Sequence, residues 1–354
     1  MIAFIYQSPP SRVVFANGAL AQLPEEVRKL GSKALVLCTP EQRSTAELAV
    51  SALENTAVGI FDQAVMHVPR EVAENARSAA RRLGADVCVA IGGGSTIGLG
   101  KAIALESDLP IIALPTTYAG SEMTPIWGIT AGGQKKTGRD PRVLPKTVIY
   151  DPSLTLSLPP DLSGTSGINA IAHCVEALYA KDTNPMVQLF AEEGIRALAA
   201  SLPGVVAAPH DIEARSQALY GAWLAGTCLG TAGVALHHKL CHTLGGAFNL
   251  PHAQTHTIVL PHALAYNAPA VPDAMARISR AMGTRDPPLA LFDLARKIGA
   301  PVALKDLGMC ERDIERAATF ALEDPYWNPA PLTYDGVSAL LRAAFVGVPP
   351  AKAR

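Results

Sequence analysis

The run Val87-Cys88-Val89-Ala90-Ile91 passes without a polar residue into Gly92-Gly93-Gly94-Ser95 and on into a helical stretch that reaches Lys101-Ala102. Such an apolar, partly β-branched run makes a strand buried on both faces, which belongs in the middle of a parallel sheet covered by helices. Parallel neighbours need crossovers, and the flanking chain supplies them. Ala34–Cys38 is a second apolar strand, Arg70 to Leu83 carries a helical period opened by Pro69 and closed by Gly84, and Pro110–Pro115 and Lys146–Tyr150 read as a third and a fourth strand. The fold class that follows is an α/β domain with a mainly parallel sheet over residues 1–158. Beyond Asp151-Pro152 and Pro159-Pro160 the texture turns to Ala and Leu at helical spacing, so residues 159–354 are expected to form an all-α domain.

Charge narrows the class of partner. A formal net charge of −1 with 17% charged residues gives no long-range attraction to nucleic acid or to an anionic membrane, and basic blocks do not exceed pairs such as Lys135-Lys136. A small-molecule partner is expected, with no nucleic acid and no membrane. No apolar run has the length of a bilayer span, and the N-terminus shows no basic segment followed by an apolar one. The six cysteines, at 38, 88, 174, 228, 241 and 310, form no Cys-x-x-Cys pair, which suits buried thiols in the cytoplasm.

Between strand and helix, Gly92-Gly93-Gly94-Ser95 lets backbone approach an anion, and the helix start behind it offers free N–H groups. A phosphate or pyrophosphate fits there. The spacing is not Gly-x-Gly-x-x-Gly, because Ile97 occupies the last position, and it is not a Walker loop, because Ser95 and Ala102 fill two of that motif's required positions. Pro115-Thr116-Thr117-Tyr118-Ala119-Gly120-Ser121-Glu122 follows the next strand at its carboxyl end, the edge at which open α/β sheets bind ligands. Either loop also reads, without any ligand, as a capped turn into a helix.

The second domain carries two four-spaced polar pairs on helical stretches, Asn169/His173 and His238/His242. Gly245-Gly246 is expected to end the second helix and to return His252 on a loop, bringing several imidazoles together. Such a group can hold a metal, or can move protons and stabilise an oxyanion. The spacing of His237, His256 and His262 singles out none of them, and they read as structural.

Taken in order, Gly92–Ser95, Pro115–Thr117 with Gly120–Glu122, Asp151-Pro152-Ser153-Leu154-Thr155, Asn169 to His173, and His238/His242/His252 resemble the iron-containing (group III) alcohol dehydrogenases from about Arg12 to Gly347. The resemblance implies the dehydroquinate synthase-like fold, an α/β dinucleotide-binding domain and a helical domain with the active site in the cleft between them. It implies NADH or NADPH on Gly92, Gly93, Gly94, Ser95, Thr116, Thr117 and Thr39. The family's metal is held by an Asp and three His, which fall on Asn169, His173, His238 and His252; the His matching His242 stands by the nicotinamide. A homodimer is expected on the same likeness.

Three of those four ligands match and the one carboxylate does not. Asn169 deprives a divalent cation of its best partner, so no metal is expected. The maleylacetate reductase branch of the family is similar in this respect, and also in Phe4-Ile5-Tyr6, Arg12–Phe15 and the run Lys136–Pro145. That branch implies hydride transfer to a double bond conjugated with a ketone. His242, His173, His238, His252 and Asn169 are then the candidate catalytic residues, and Lys136, Arg139, Arg142 and Tyr118 the candidate contacts of a dicarboxylate substrate. Gly98 stands where many relatives have Asp, Gly100 where Ala is common and Ala330 where Arg is expected. Thr39-Pro40-Glu41 lacks the acidic residue that would select against a 2′-phosphate, so either cofactor fits. Two other readings stay open: a metal-dependent alcohol or aldehyde dehydrogenase, and a nucleotide sensor without chemistry.

Overall fold

The computed structural model describes residues 6, 12–132 and 134–351. The chain divides into two compact units that meet in sequence between Leu158 and Pro159. Tyr6 groups with the second unit. Phe4 and Ile5 lie outside the described residues.

In the first unit β1 (Arg12–Phe15), α1 (Leu23–Leu30), β2 (Ala34–Leu37), α2 (Arg43–Leu53), β3 (Ala57–Phe61), α3 (Arg70–Leu83), β4 (Val87–Gly92), α4 (Gly94–Ser107), β5 (Ile111–Pro115), β6 (Ile126–Ala131), β7 (Gln134–Arg139) and β8 (Thr147–Tyr150) follow one another. Six strands form a parallel sheet in the order β1-β8-β5-β4-β2-β3. Alternation along β2 shows why its sequence has no polar position. Val36 packs with Leu23, Val27, Ala46 and Ala49 of α1 and α2, whereas Leu35 and Leu37 pack with Ala73, Ala76, Leu99 and Ile103 of α3 and α4. The edge strands β1 and β3, half covered, lack that signature and were not predicted. Residues 134–139, not predicted as a strand, form the second strand of an antiparallel hairpin with β6, in register from Ile126 opposite Arg139 to Ala131 opposite Gln134.

The second unit holds α5 (Pro160–Tyr179), α6 (Pro185–Ala207), α7 (Ile212–Thr231), α8 (Leu236–Phe248), α9 (His252–Asn267), α10 (Pro272–Met282), α11 (Pro287–Lys297), α12 (Asp313–Glu323) and α13 (Tyr334–Val346), and no strand among the described residues. Asn184, Asp211 and Thr333 cap α6, α7 and α13 by accepting first-turn N–H groups. Leu236, Leu240 and Leu244 recur every fourth residue of α8 and bury against Val259, Ile314, Val337 and Leu341. No single helix among the described residues is long and apolar enough to cross a membrane.

One expectation about this unit fails. Gly245-Gly246 do not end α8; it continues to Phe248 and closes on Asn249, which takes the left-handed conformation at φ 54°. Pro251 then starts α9, so His252 is a first-turn helical residue rather than part of a loop.

Candidate active site

Three loops of the first unit leave the sheet from one edge, because β5, β4 and β2 are adjacent and parallel and Gly92 lies beside Pro115. Thr39 follows β2, Gly93 follows β4, and Thr116 and Thr117 follow β5. Gly92 has φ 154°, and a Cβ there would lie 2.5 Å from both Gln42 Oε1 and Thr96 Oγ1, so glycine is required. No side chain caps the first amides of α4, and a Cβ on Gly94 would meet nothing, which leaves those N–H groups and the positive end of the helix dipole open to an anion. Gln42 was missed by the sequence reading and has no spacing signal; its Nε2 donates to Thr116 Oγ1 at 2.6 Å and ties the turn after β2 to the turn after β5. Gly98 also has a local reason. A Cβ there would lie 2.9 Å from Val68 Cγ2, so the acidic side chain of many relatives has no room while Val68 holds its place.

Lys101 is buried under the same loops and donates to the carbonyls of Ser121 (2.6 Å), Thr124 (2.8 Å) and Ile126 (2.9 Å), with its pKa pulled down by burial to about 7. It anchors the segment after β5. Tyr118 in that segment, expected as a substrate contact, is 0% exposed. The three candidate cations do not converge either. Arg142 pairs with Asp140 at 2.8 Å and Asp108 at 3.4 Å; exposed Lys136 lines a groove of about 340 Å³ with Arg70, Arg81, Glu74 and Glu106; Arg139 lies exposed at the far end of β7.

In the second unit α5 places Asn169, His173 and Glu176 at spacings of four and three, all buried. α8 contributes His238, buried, and His242, exposed; exposed His252 opens α9. The His173 and His238 rings stack at 5.1 Å between centroids, and His238 lies 5.9 Å from His242 and 5.1 Å from His256, which is itself 4.3 Å from His252. Four buried polar atoms in this cluster have no hydrogen-bond partner: Asn169 Oδ1, His173 Nδ1, His238 Nε2 and His256 Nε2. Behind them His237 Nε2 and His256 Nδ1 are 2.9 Å apart and satisfy each other.

Two further residues organise the cluster, and neither was found from the sequence. Glu176 accepts the backbone N–H groups of Ala235 and His237, each at 2.7 Å, and sits 2.6 Å from His238 Nδ1. Its carboxylate therefore fastens the start of α8 and the ring of His238 together. Burial raises its pKa to about 7, against the lowering effect of those hydrogen bonds, while burial takes His238 down to about 3. Tyr326 places its hydroxyl 3.0 Å from His242 Nδ1, which fixes the orientation of the ring. The four-spacing of Asn169 and His173 next falls on Ala177, one residue past Glu176, and Tyr326 lies in a proline-rich loop without periodicity.

Burial of so much imidazole sets the acid limit of the fold. His173, His237, His238, His256 and His262 are all held below the ordinary 6.5, so the unfolded chain takes up protons that the folded chain refuses. Their contribution is present above pH 6.5 and is lost as pH falls toward about 4 for His262 and about 3 for His238. Glu122 and Glu176 act the other way, losing stability as pH rises above 4.5. Five groups outweigh two, and Tm is expected to drop by about 5 °C or more between pH 6.5 and 4.5 in a thermal melt; a flat profile would contradict the burial of the cluster.

The sequence matches the family model "Iron-containing alcohol dehydrogenase" over residues 10–152 and "Fe-containing alcohol dehydrogenase family, C-terminal" over residues 163–345. The chain belongs to the iron-containing alcohol dehydrogenase family. Among its relatives, a maleylacetate reductase of Burkholderia cepacia is 59% identical over 99% of this chain and 100% of its own length, and one of Sphingobium indicum is 57% identical over 98% and 99%. The crystal structure of maleylacetate reductase from Agrobacterium tumefaciens superposes with a TM-score of 0.96 at 51% identity, covering 99% of this chain and 100% of that one. As an iron-containing alcohol dehydrogenase by descent, the chain is nonetheless a poor fit to the metal the family name implies. Asn169 offers a neutral amide where a carboxylate is expected, and the His/Cys/Asp/Glu group whose ligand atoms lie within 4.8 Å of one another among the described residues is His237, Cys241 and His256, which excludes His173, His238 and His252.

Proposed function

We propose that the chain reduces the carbon–carbon double bond of maleylacetate to 3-oxoadipate with NADH or NADPH, and that it does so without a metal. Asn169 carries this reading: a buried amide stands where the family pattern has its only carboxylate, beside two imidazoles with unpartnered nitrogens. Near-complete alignment with maleylacetate reductases supports the substrate. Hydride from the nicotinamide enters at the alkene carbon β to the ketone, the π electrons move into an enolate, and a proton adds at the α carbon. Charge spread over an enolate can be met by hydrogen-bond donors, whereas the localised alkoxide of an alcohol dehydrogenase gains more from a Lewis acid.

In this reading the dinucleotide lies on the turn Gly92–Ser95 with Thr39, Thr116 and Thr117. Asn169, His173, His238 and His252 surround the substrate oxygens, and His242 delivers the proton from Nε2 while Tyr326 holds Nδ1. Five buried free thiols suit a reducing cytoplasm, and a homodimer belongs to the same family reading.

Maleylacetate-dependent loss of NADH absorbance is expected to survive exhaustive chelation, in protein without stoichiometric iron or zinc. Activity abolished by chelation and restored by metal would overturn the metal-free part; consumption of neither NADH nor NADPH by fresh protein would overturn the whole. Asn169→Asp is expected to raise zinc affinity about tenfold or more by titration calorimetry, since it restores an anionic ligand. Unchanged affinity would mean that position 169 does not converge with His173, His238 and His252.

A further inference from the structure

We propose that Lys239 is the residue that binds a carboxylate of the substrate, an inference that rests on the reading of the chain as a reductase of a small dicarboxylate. A dianion that leaves water for a site of imidazoles and an amide must find a positive charge, and a hydrogen bond to a charged group is stronger than one to a neutral group. The cations first expected in that role do not fit it. Arg142 is already paired with Asp140 and Asp108, Lys136 lines a groove of first-unit residues that holds none of the histidines, and Arg139 lies at the end of β7 in the same unit.

Lys239 lies on α8, three residues before His242, and together with His242, Thr243, Ala247, Phe320 and Tyr326 it lines one open pocket of about 270 Å³. Its Nζ stands 5.6 Å from the centre of the Tyr326 ring, and the hydroxyl of that tyrosine is 3.0 Å from His242 Nδ1. One aromatic ring thus holds the ammonium by its face and the imidazole by its hydroxyl, fixing a point charge beside the proton donor. Lys239 is half-buried and makes no ion pair among the described residues. The neighbouring cation, Arg316, is committed elsewhere: it lies over the rings of Phe248 and Phe320 and pairs with Asp313 at 3.5 Å. A carboxylate anchored on Lys239 brings the enone of the same small molecule within reach of His242 Nε2.

Lys239→Met keeps the apolar stem and removes the charge. Its KM for maleylacetate is expected to rise about tenfold to a hundredfold, with a smaller change in kcat and an unchanged KM for NADH. Lys239→Arg is expected to recover part of the loss. The wild type should favour the diacid over its half-ester, and the Met variant should lose that preference, a change that a purely structural lysine would not produce. Lys239→Gln gives the same comparison if the Met variant folds poorly by circular dichroism. A wild-type KM together with an intact preference for the diacid in either neutral variant would overturn the proposal. Failure of the wild type itself to oxidise either NADH or NADPH with maleylacetate would instead overturn the functional reading on which it rests.

Discussion

His242→Ala is expected to lower turnover by about two to four orders of magnitude, the usual worth of a positioned general acid, while NADH affinity stays within about twofold. The reason lies in what surrounds the ring. Asn169, His173 and His238 are buried and His238 is committed through Nδ1 to Glu176, whereas His242 is exposed and is held through Nδ1 by the Tyr326 hydroxyl. That arrangement makes His242 an oriented imidazole at the surface of the cluster. Tyr326→Phe should preserve the ring and lose only the bond, giving a smaller fall of about tenfold in kcat with substrate KM little changed. Stopped-flow measurement of NADH oxidation, with cofactor binding followed separately by fluorescence, distinguishes the two effects. Wild-type turnover in His242→Ala would remove this residue from the chemistry and leave His252 as the exposed imidazole of the cluster to test next.

The same two residues show what a sequence can and cannot disclose. His242 was legible because it stands four residues after His238 on a helix, and spacing of that kind survives translation into structure. Tyr326 was not, since its contact with His242 joins positions 84 apart through a loop that has no period. β2, β4, β5 and β8 were legible for a different reason: their side chains are buried on both sides of a sheet, which leaves no polar position to blur the signal. The half-covered β1 and β3 lacked it, as did β7 with its basic side chains. Lys136 and Arg139, three apart on β7, point to opposite faces of the hairpin, and Arg142 lies in the turn beyond, where it pairs with Asp140 and Asp108. The break expected at Gly245-Gly246 failed because glycine weakens a helix only modestly, and packing of Leu240 and Leu244 against α9 and α12 carries the helix past it to Asn249.

Glu176→Gln should reveal how much of the cluster depends on one carboxylate. Ionised, Glu176 is an acceptor at both oxygens, and three donors converge on it: the N–H groups of Ala235 and His237 and the Nδ1 of His238. Glutamine has one oxygen and one NH2. With its oxygen toward Ala235 and His238, the amide nitrogen faces the N–H of His237; turned over, it faces Ala235 and forces His238 to carry its proton on Nε2 instead of Nδ1. Either orientation opposes two donors in a fully buried site, at a cost of about 1–3 kcal/mol, and loosens the start of α8, the helix that carries His238, Lys239 and His242. Turnover is expected to fall about tenfold to a hundredfold, the range found when a side chain that orients a working group is lost. Glu176→Ala should fall further, because both backbone amides are then left unpaired. Urea denaturation and steady-state kinetics on the same preparations separate the two contributions, since loss of folded protein alone scales kcat with active fraction and leaves its pH profile where it was. A shifted kcat profile in fully folded Glu176→Gln would place the carboxylate behind His238 as its positioning residue, and an unshifted profile with full turnover would reduce Glu176 to a helix cap.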